Sequence, residues 1–492
     1  MKKMMAITVA SCLAVATATA QMSQQSMPGM DMSQHDMSST QNAPTHANQQ
    51  LQEPENPGRR TGESLPAPEL LKEVSARPSK KLSEFIQMAD ANNPTLKQAA
   101  AIVRRSAAQA KQAGLYPNPS VGYQGEQIRG GSFGGGEHGA YVAQSIVLGG
   151  KLGLRRNIYE EQKKSDEAAG EAQTDRVRGD VTQAFYKTLA AQETVVVRRR
   201  LLKLTLDAVE TVHQLANVGQ ADAPDILQSE VEAEQAKVDY ANAQRDFLQN
   251  FRMLAALAGQ SDLAASPLEG ALDVVPDIDT DHVVETMIQA SPAVKQTQLE
   301  IGVAEARLKD ARKEAVPDLQ LKAGEQYNFE TVAVLPTKAV GPQSFASVGV
   351  NLPLWNRNQG AKQAAEADID RAQQDLQRVK LSLRQQAEPL VQTYLSSKFE
   401  AERYRTQLIP RAARAYQLYL QKYQSMAMAY PQVLVSQRTL FQLQASYIQA
   451  LSSAWQNAIA LQHYMLKGGL EAPPTTSAPT TINSPGSGSG TE

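Results

Sequence analysis

The stretch NNPTLKQAAAIVRRSAAQAKQAGLYPNPSVGYQ, residues 92–124, recurs as ASPAVKQTQLEIGVAEARLKDARKEAVPDLQLK, residues 290–322. Pro94 falls on Pro292, a shift of 198 residues (292 − 94). In both copies a helical stretch rich in Ala and charged residues ends at a proline and gives way to alternating residues. Because internal repetition reports the architecture of a whole chain, we expect two halves that are built alike.

Two strand-like segments follow the helix of each copy. They are SVGYQGEQ and AYVAQSIVL in the first half, and DLQLKAGEQY and FASVGVNLPLW in the second. The alternation is clearest in the second half, where Leu319, Leu321 and Ala323 alternate with Gln320 and Lys322. A period of two, with apolar residues on one side and small or polar residues on the other, is typical of membrane β-strands.

Each strand pair is followed by a long stretch with almost no helix breakers, residues 151–218 and 361–426. Only Pro389 and Pro410 interrupt the second stretch. At 1.5 Å per residue such helices reach roughly 100 Å, far beyond an ordinary globular helix. The pattern predicts a coiled coil or a helical tube.

The turns at the far ends of these helices are repeated as well. LANVGQADAPDILQSEVEAEQ aligns with QSMAMAYPQVLVSQRTLFQLQ, and Pro224 falls on Pro431. Each half therefore reads helix, strand, strand, long helix, sharp turn, returning helix. Four strands per chain cannot close a membrane barrel, because barrels begin at eight strands and open edges cannot face lipid. We expect several copies to share one pore.

Composition excludes several classes of protein. The chain has 49 Lys and Arg against 51 Asp and Glu, a formal net charge of -2, so nothing indicates nucleic acid as a partner. MKKMMAITVASCLAVATATA reads as a secretory signal peptide, and the single cysteine, Cys12, lies inside it. An alternative reading of VASC is a short lipobox in which Cys12 is acylated. No run of 18 apolar residues follows the leader, which leaves a periplasmic, secreted or outer-membrane β-protein.

The chain divides into five predicted regions. We expect a signal peptide, a disordered Met- and Pro-rich segment, a first repeat, a second repeat and a disordered tail, at residues 1–20, 21–80, 81–270, 271–467 and 468–492. The two disordered regions lack the apolar residues needed to form a packed core.

Thioethers are concentrated just behind the leader, around MPGMDMSQHDMS at residues 27–38. Methionine sulfur is a soft ligand that suits Cu(I) and Ag(I), and it needs no deprotonation to bind. The alternative is a polar tail in which methionines have accumulated by chance. The candidate metal ligands are Met22, Met27, Met30, Met32, His35 and Met37. No other cofactor is indicated.

The layout resembles the TolC-type outer-membrane efflux channel family, and the Met-rich segment makes its heavy-metal (CusC/CzcC-like) branch the natural home. The resemblance covers about residues 82–466 and is carried by ANNPTLKQAAA, ASPAVKQTQLE, YPNPSVGYQ, AVPDLQLKA, VGVNLPLWNRNQG and ANVGQADAPDIL. It implies a mainly α fold with a membrane β-barrel, in which a homotrimer closes twelve strands in the outer membrane of a Gram-negative bacterium. The helices would form a tunnel across the periplasm, and a small mixed region would wrap its middle.

The resemblance also implies a function. A channel of this kind is a passive export conduit, loaded at its helical tip by a periplasmic adaptor and an inner-membrane pump. Related channels close this entrance with an arginine and acidic residues, whereas Met428, Gln432 and Val435 hold those positions here. The candidate tip and gate residues are Gly219, Asp222, Asp225, Met426, Met428 and Gln432. Of these, Gly219 is interpreted as a turn glycine with positive φ.

Nothing in the sequence indicates an enzyme, because it contains no G-x-S-x-G, P-loop or H-E-x-x-H motif. The leading hypothesis is a channel for copper, silver or other heavy-metal ions. A drug or type I secretion channel is the second hypothesis. A periplasmic coiled-coil or metal-buffering protein without a pore is the third, and it would have no use for the alternating strands.

Overall fold

The two predicted halves form two helical hairpins that meet at one four-stranded sheet. A computed structural model describes residues 71–128, 135–332, 338–425, 427–428 and 430–473. These residues belong to one compact unit, Pro66–Glu492. Within this part of the chain, no helix combines the length and apolar character required to span a membrane.

The helices and strands follow the predicted order in both halves. The helices are α1 (Lys72–Ser75), α2 (Leu82–Asn92), α3 (Pro94–Ala113), α4 (Lys151–Asn217), α5 (Ala223–Leu257), α6 (Val283–Ala290), α7 (Pro292–Lys313), α8 (Gln359–Arg403), α9 (Ile409–Gln424) and α10 (Tyr430–Gln462). The strands are β1 (Lys80–Lys81), β2 (Ser120–Glu126), β3 (Glu137–Ile146), β4 (Leu268–Glu269), β5 (Leu319–Val332) and β6 (Lys338–Val350).

The first helical stretch of each half is divided in two at its repeated proline. Asn93 and Ser291 precede Pro94 and Pro292, and both are extended, with ψ of 123° and 125°. A proline ring disfavours the helical conformation in the residue before it, whereas proline itself fits the first turn of a helix. The repeated proline therefore ends one helix and begins the next.

The long helices differ between the halves. α4 runs unbroken for 67 residues, about 100 Å. In the second half, α8 continues through Pro389, so the predicted interruption there is wrong. A π-helical turn, Tyr404–Leu408, separates α8 from α9, and Pro410 is the second residue of α9. Proline has no N–H to donate to the preceding turn, and the wider π-turn accommodates this loss.

The four-stranded sheet is antiparallel and has the order β2-β3-β5-β6. The strand pair of the first half thus lies directly beside the strand pair of the second. A second, two-stranded sheet pairs β1 with β4 in parallel, with Lys80 opposite Leu268. This small sheet brings the start of the described chain to the segment between the two halves, and we call these two stretches the mixed region.

The main core lies where α2, α4, α5 and α10 meet. The ring of Phe85 lies 6.0 Å from the rings of both Phe185 and Phe251. Tyr186 stacks on Trp455 with ring centroids 3.5 Å apart, and the indole N–H of Trp455 donates to the carbonyl of Leu272 at 2.8 Å. Trp455 therefore fastens the mixed region to helices of both halves.

The structure corrects the boundaries of the two segments that were predicted to be disordered. The segment predicted to be disordered to residue 80 becomes ordered earlier, because Leu71 and Val74 are buried in the main core. The predicted tail from residue 468 also begins with ordered residues. The carbonyl of Gly469 accepts from the Thr95 hydroxyl at 2.9 Å, and its N–H donates to Asp180 at 2.6 Å. These contacts join residues distant in the sequence, so composition did not reveal them.

Candidate functional sites: the two-faced sheet and the helical tip

One face of the four-stranded sheet is largely apolar and uncovered, and Glu325 is an exposed carboxylate on it. Val121, Val142, Ala323 and Ala346 lie opposite one another in register across all four strands, and residues paired in this way share a face. Val121 is 77% exposed and Val348, on the same face, is 70% exposed. The predicted alternation is confirmed, and large apolar groups point away from the protein.

The opposite face is polar and carries most of the hydrogen-bonding side chains of the sheet. Glu126, Glu137 and Asn328 are paired in one row across β2, β3 and β5. Glu137 accepts from the amide of Asn328 at 2.7 Å and from the amide of Gln326. Lys322 lies nearer to the helical end of the same face and donates to Gln124 at 2.5 Å. The two faces of the sheet thus differ sharply in polarity.

Aromatic side chains lie at both ends of the sheet. At the end away from the helices, the ring of His138 stacks on that of Tyr123, with centroids 6.1 Å apart. It also contacts the ring of Phe329, with centroids 5.8 Å apart. At the helical end, Tyr116 and Trp355 are 65% and 87% exposed. Trp355 lies between β6 and α8, where the sheet gives way to a long helix.

The tip of the first hairpin is a tight turn with hydrogen bonds to the helix on either side. Gly219 has a φ of +75°, as predicted for a turn glycine, and its N–H donates to the carbonyl of Ala216 at 3.0 Å. Asp222 caps α5, accepting from the N–H of Asp225 at 3.3 Å. A capping carboxylate satisfies a free helix N–H and favours the positive end of the helix dipole. Asp222 therefore has a structural role beside its predicted one.

The tip of the second hairpin carries the remaining candidates. Gln432 is exposed in the first turn of α10, and Met428 is half-buried in the turn before it. With Tyr419 and Val435, Gln432 lines a shallow groove between α9 and α10. Met426 lies outside the described residues.

The two tips pack against each other through a buried aromatic residue. Tyr430 lies in a cluster with Val212 and Val433, and its ring is 5.3 Å from that of Tyr423. Burial raises the pKa of Tyr430 well above its usual value of 10. Burial also raises the pKa of Tyr423, and the charge of nearby Asp225 adds to this effect. Asp225 thus lies near Tyr423 of the second hairpin.

An ion pair that the sequence did not predict also joins the two hairpins. Arg438 of α10 donates to Glu232 of α5. The sequence held no signal for this pair, because only the packing of the two hairpins brings Arg438 and Glu232 together. A second pair, His213 with Glu230 at 3.3 Å, joins α4 to α5 within the first hairpin.

The segment that follows α10 is packed against the middle of α4. His463 lies so close to Gly179 that a Cβ at that glycine would stand 2.9 Å from the His463 Cβ. Burial lowers the pKa of His463, and burial raises the pKa of Asp180 despite its bond to the Gly469 N–H. These groups anchor the end of the described chain far from the sheet and the tip.

The predicted metal ligands lie outside the described residues. This holds for Met22, Met27, Met30, Met32, His35 and Met37, and also for Cys12. Within the described ranges, no three His, Cys, Asp or Glu side chains are grouped so that they could hold a metal ion.

Long paired helices, a duplicated layout and a two-faced sheet define a protein of the efflux channel class. The family model for the outer membrane efflux protein matches residues 85–260 and 283–465, one match in each half. The chain belongs to the outer membrane efflux protein family. The resemblance inferred from the repeated motifs is confirmed.

Two curated relatives are metal resistance proteins. The chain is 23% identical over 384 residues to the cobalt-zinc-cadmium resistance protein CzcC of Cupriavidus metallidurans, covering 78% of this chain and 89% of CzcC. It is 23% identical over 314 residues to the nickel-cobalt-cadmium resistance protein NccC of Alcaligenes xylosoxydans xylosoxydans, covering 63% and 69% of the two chains.

Solved structures confirm the fold. CusC superposes with a TM-score of 0.65 at 16% identity, over 80% of this chain and 94% of CusC. VceC of Vibrio cholerae superposes with a TM-score of 0.64 at 16% identity, over 79% and 97% of the two chains.

Proposed function

We propose that this protein is the outer-membrane channel of a tripartite efflux system and that it is a passive conduit for heavy-metal ions. The observation that carries the proposal is the four-stranded sheet, which has one apolar and one polar face. A sheet of this kind suits a wall between lipid and an aqueous pore.

The edges of the sheet support an assembly of several copies. Within the described residues, β2 and β6 each have one strand neighbour and one unpaired edge. An unpaired edge in lipid leaves backbone N–H and carbonyl groups without partners, at a cost of several kcal/mol each. Pairing β2 of one copy with β6 of the next satisfies both edges, and three copies give a closed barrel of twelve strands.

The height of the sheet supports placement in a membrane. From Leu319 to Phe329, β5 spans about 34 Å along the strand. At a tilt of about 40°, this corresponds to a height of about 26 Å, close to the apolar band of roughly 25 Å on outer-membrane barrels. Aromatic residues at both ends, such as Phe329 and Trp355, match the interfacial girdles of such barrels. The helices would then extend into the periplasm, where an adaptor and a pump load the tip.

The proposed cargo rests on the relatives and on composition. CzcC and NccC are named for resistance to cobalt, zinc, cadmium and nickel, which supports divalent metal cations as cargo. The Met-rich segment at residues 22–37 supports copper or silver, since thioethers prefer soft monovalent ions. We propose heavy-metal export as the function, with Cu(I) or Ag(I) binding by this segment as a separate property.

Metal tolerance of a strain that lacks the gene tests the cargo. We expect the deletion to lower tolerance to at least one of zinc, cadmium, cobalt, nickel, copper or silver, and the intact gene to restore it. Replacing the five methionines of the segment by leucine should lower copper and silver tolerance alone if the segment serves transport. Unchanged tolerance to every metal, together with new sensitivity to antibiotics or toluene, would favour the drug channel. Some curated relatives are named for those compounds.

Fractionation tests the location and separates a channel from a pore-free periplasmic protein. We expect the protein in the outer-membrane fraction, released by detergent and not by salt. Recovery in the soluble periplasm would contradict the proposal.

A further inference from the structure

The polar face of the sheet holds one lysine in a fixed position. The ammonium group of Lys322 lies 4.1 Å from the centre of the Tyr141 ring and 5.8 Å from that of Phe345. It also donates to the Gln124 side-chain oxygen at 2.5 Å. An ammonium over an aromatic face is attracted by the ring quadrupole. Lys322 thus reaches across β3 toward β2 and lies along the surface of the sheet.

Two glycines leave room for the aromatic rings near Lys322 to lie flat against the sheet. A Cβ on Gly122 would stand 2.6 Å from the Tyr141 hydroxyl oxygen, and a Cβ on Gly324 would stand 2.8 Å from the end of the Phe345 ring. Both distances are too short for real side chains. The two rings therefore occupy the space that side chains would fill at these positions, and the ammonium is held close to the wall.

Lys322 is linked to one of the two carboxylates of the face. Gln124 accepts from Lys322 through its oxygen and donates to Glu126 through its nitrogen. Glu137, opposite Glu126 in register, is bound by the amides of Gln326 and Asn328. Like charges directly opposite on neighbouring strands repel each other. Lys322 offsets one of these two charges and leaves one net negative charge per copy on these three side chains.

We infer that Lys322 sets the charge balance of the pore wall and thereby limits its preference for cations. This inference rests on the proposed trimeric channel, in which three lysines and six glutamates would line the lumen. Ion conduction requires attraction strong enough for entry and weak enough for release. Without Lys322, six uncompensated carboxylates at one level would hold metal cations more tightly.

Ion selectivity of single trimers in planar bilayers tests the inference. Under a KCl gradient, Lys322→Gln should raise the potassium-to-chloride permeability ratio by about twofold or more, since charged rings control selectivity in pores. Lys322→Arg keeps the charge and should leave the ratio unchanged. The double variant Lys322→Gln with Glu126→Gln restores the net charge and should return the ratio to the original value. Glu325→Gln is the matched control, because Glu325 points to the opposite face of the sheet.

Thiol labelling provides a second readout. In a Cys12→Ser background, Lys322→Cys should react with a membrane-impermeant thiol reagent. Val348→Cys, on the apolar face, should not react. A positively charged reagent at position 322 should restore the original permeability ratio, and a negatively charged one should raise the ratio further.

The outcomes separate the inference from the proposed function. An unmodified protein that forms no pore contradicts the proposed channel itself. A conducting protein whose Lys322→Gln variant keeps the original ratio, or whose Lys322→Cys variant does not react with the reagent, overturns the inference alone. Failure of the double variant to restore the ratio shows a structural effect and also overturns it.

Discussion

Gly150 and Asn358 occupy the same place in the two halves and share a left-handed backbone. Each immediately precedes a long helix, α4 or α8, with φ and ψ of 73° and 16° at Gly150 and 60° and 29° at Asn358. Asn358 also donates from its side chain to the carbonyl of Ala311 at 3.0 Å. The turn from sheet to helix is therefore built in the same way twice, with the residue types that tolerate this conformation.

Replacing Gly150 by alanine should destabilise the protein by about 1 kcal/mol, the cost of a left-handed conformation with a Cβ. The new Cβ would meet nothing within 4 Å, so the backbone alone accounts for the effect. Gly153→Ala is the matched control, since Gly153 is equally unhindered but helical. It should stabilise the protein by up to about 1 kcal/mol. Thermal unfolding measures the change in stability of both variants. Unfolding temperatures that shift in the same direction would contradict this account.

Asp222 should act at the tip through its capping bond. Asp222→Ala should cost about 1 kcal/mol of local stability and speed hydrogen exchange at the start of α5, whereas Asp222→Asn keeps an acceptor and should change exchange little. Hydrogen exchange measured by mass spectrometry over residues 218–230 tests this. Equal acceleration in both variants would show that the charge, and not the cap, holds the turn.

The ion pair of Arg438 with Glu232 should hold the two hairpin ends together. In a double-mutant cycle with glutamine at both positions, we expect a coupling of about 0.5–1 kcal/mol, because the arginine is largely exposed. If this contact narrows the entrance, either single variant should raise single-channel conductance. Arg198→Gln, which breaks the pair with Asp239 within the first hairpin, is the control and should leave conductance unchanged. A higher conductance in the control would contradict a specific role for Arg438.

Acidification should loosen the segment that follows α10. Burial lowers the pKa of His463 below its usual value of 6.5, so the unfolded state binds the proton more readily. The contribution of His463 to stability is therefore complete above about pH 6.5 and is lost as the pH falls toward the lowered value. After correction for the intrinsic pH dependence of amide exchange, hydrogen exchange over residues 463–473 should rise as the pH falls from 7.5 to 5.5, and His463→Gln should reduce this rise. His213→Gln, at the tip, should leave it unchanged; an equal reduction there would rule out His463 as the source.

Local patterns in the sequence were sufficient for the order of elements and for the apolar face of the sheet. Alternation around Leu319 and the repeated prolines act through the backbone of neighbouring residues, so they can be read without a structure. The unbroken course of α8 through Pro389 could not be predicted, because neighbouring helices can outweigh the local cost of a proline.

Contacts between residues far apart in the chain were the main feature that the sequence did not predict. Arg438 and Glu232, or Lys322 and Tyr141, lie far apart in the chain, and only the register of strands and the pairing of hairpins brings them together. Similarly, Leu71 is ordered by a core formed by other segments, although its own surroundings in the sequence are polar and rich in proline. Of the candidate tip residues, Gly219, Asp222 and Met428 lie in the turns, and Asp225 and Gln432 lie in the first turns of α5 and α10. Their role as a gate stays a prediction.

The central claim is that three copies of this chain close one barrel. Native mass spectrometry of the protein extracted from outer membranes tests it most directly. We predict a complex of three chains that persists in detergent, with a sheet signal in its circular dichroism spectrum beside a dominant helical one. A monomer that stays in solution without detergent would contradict the account.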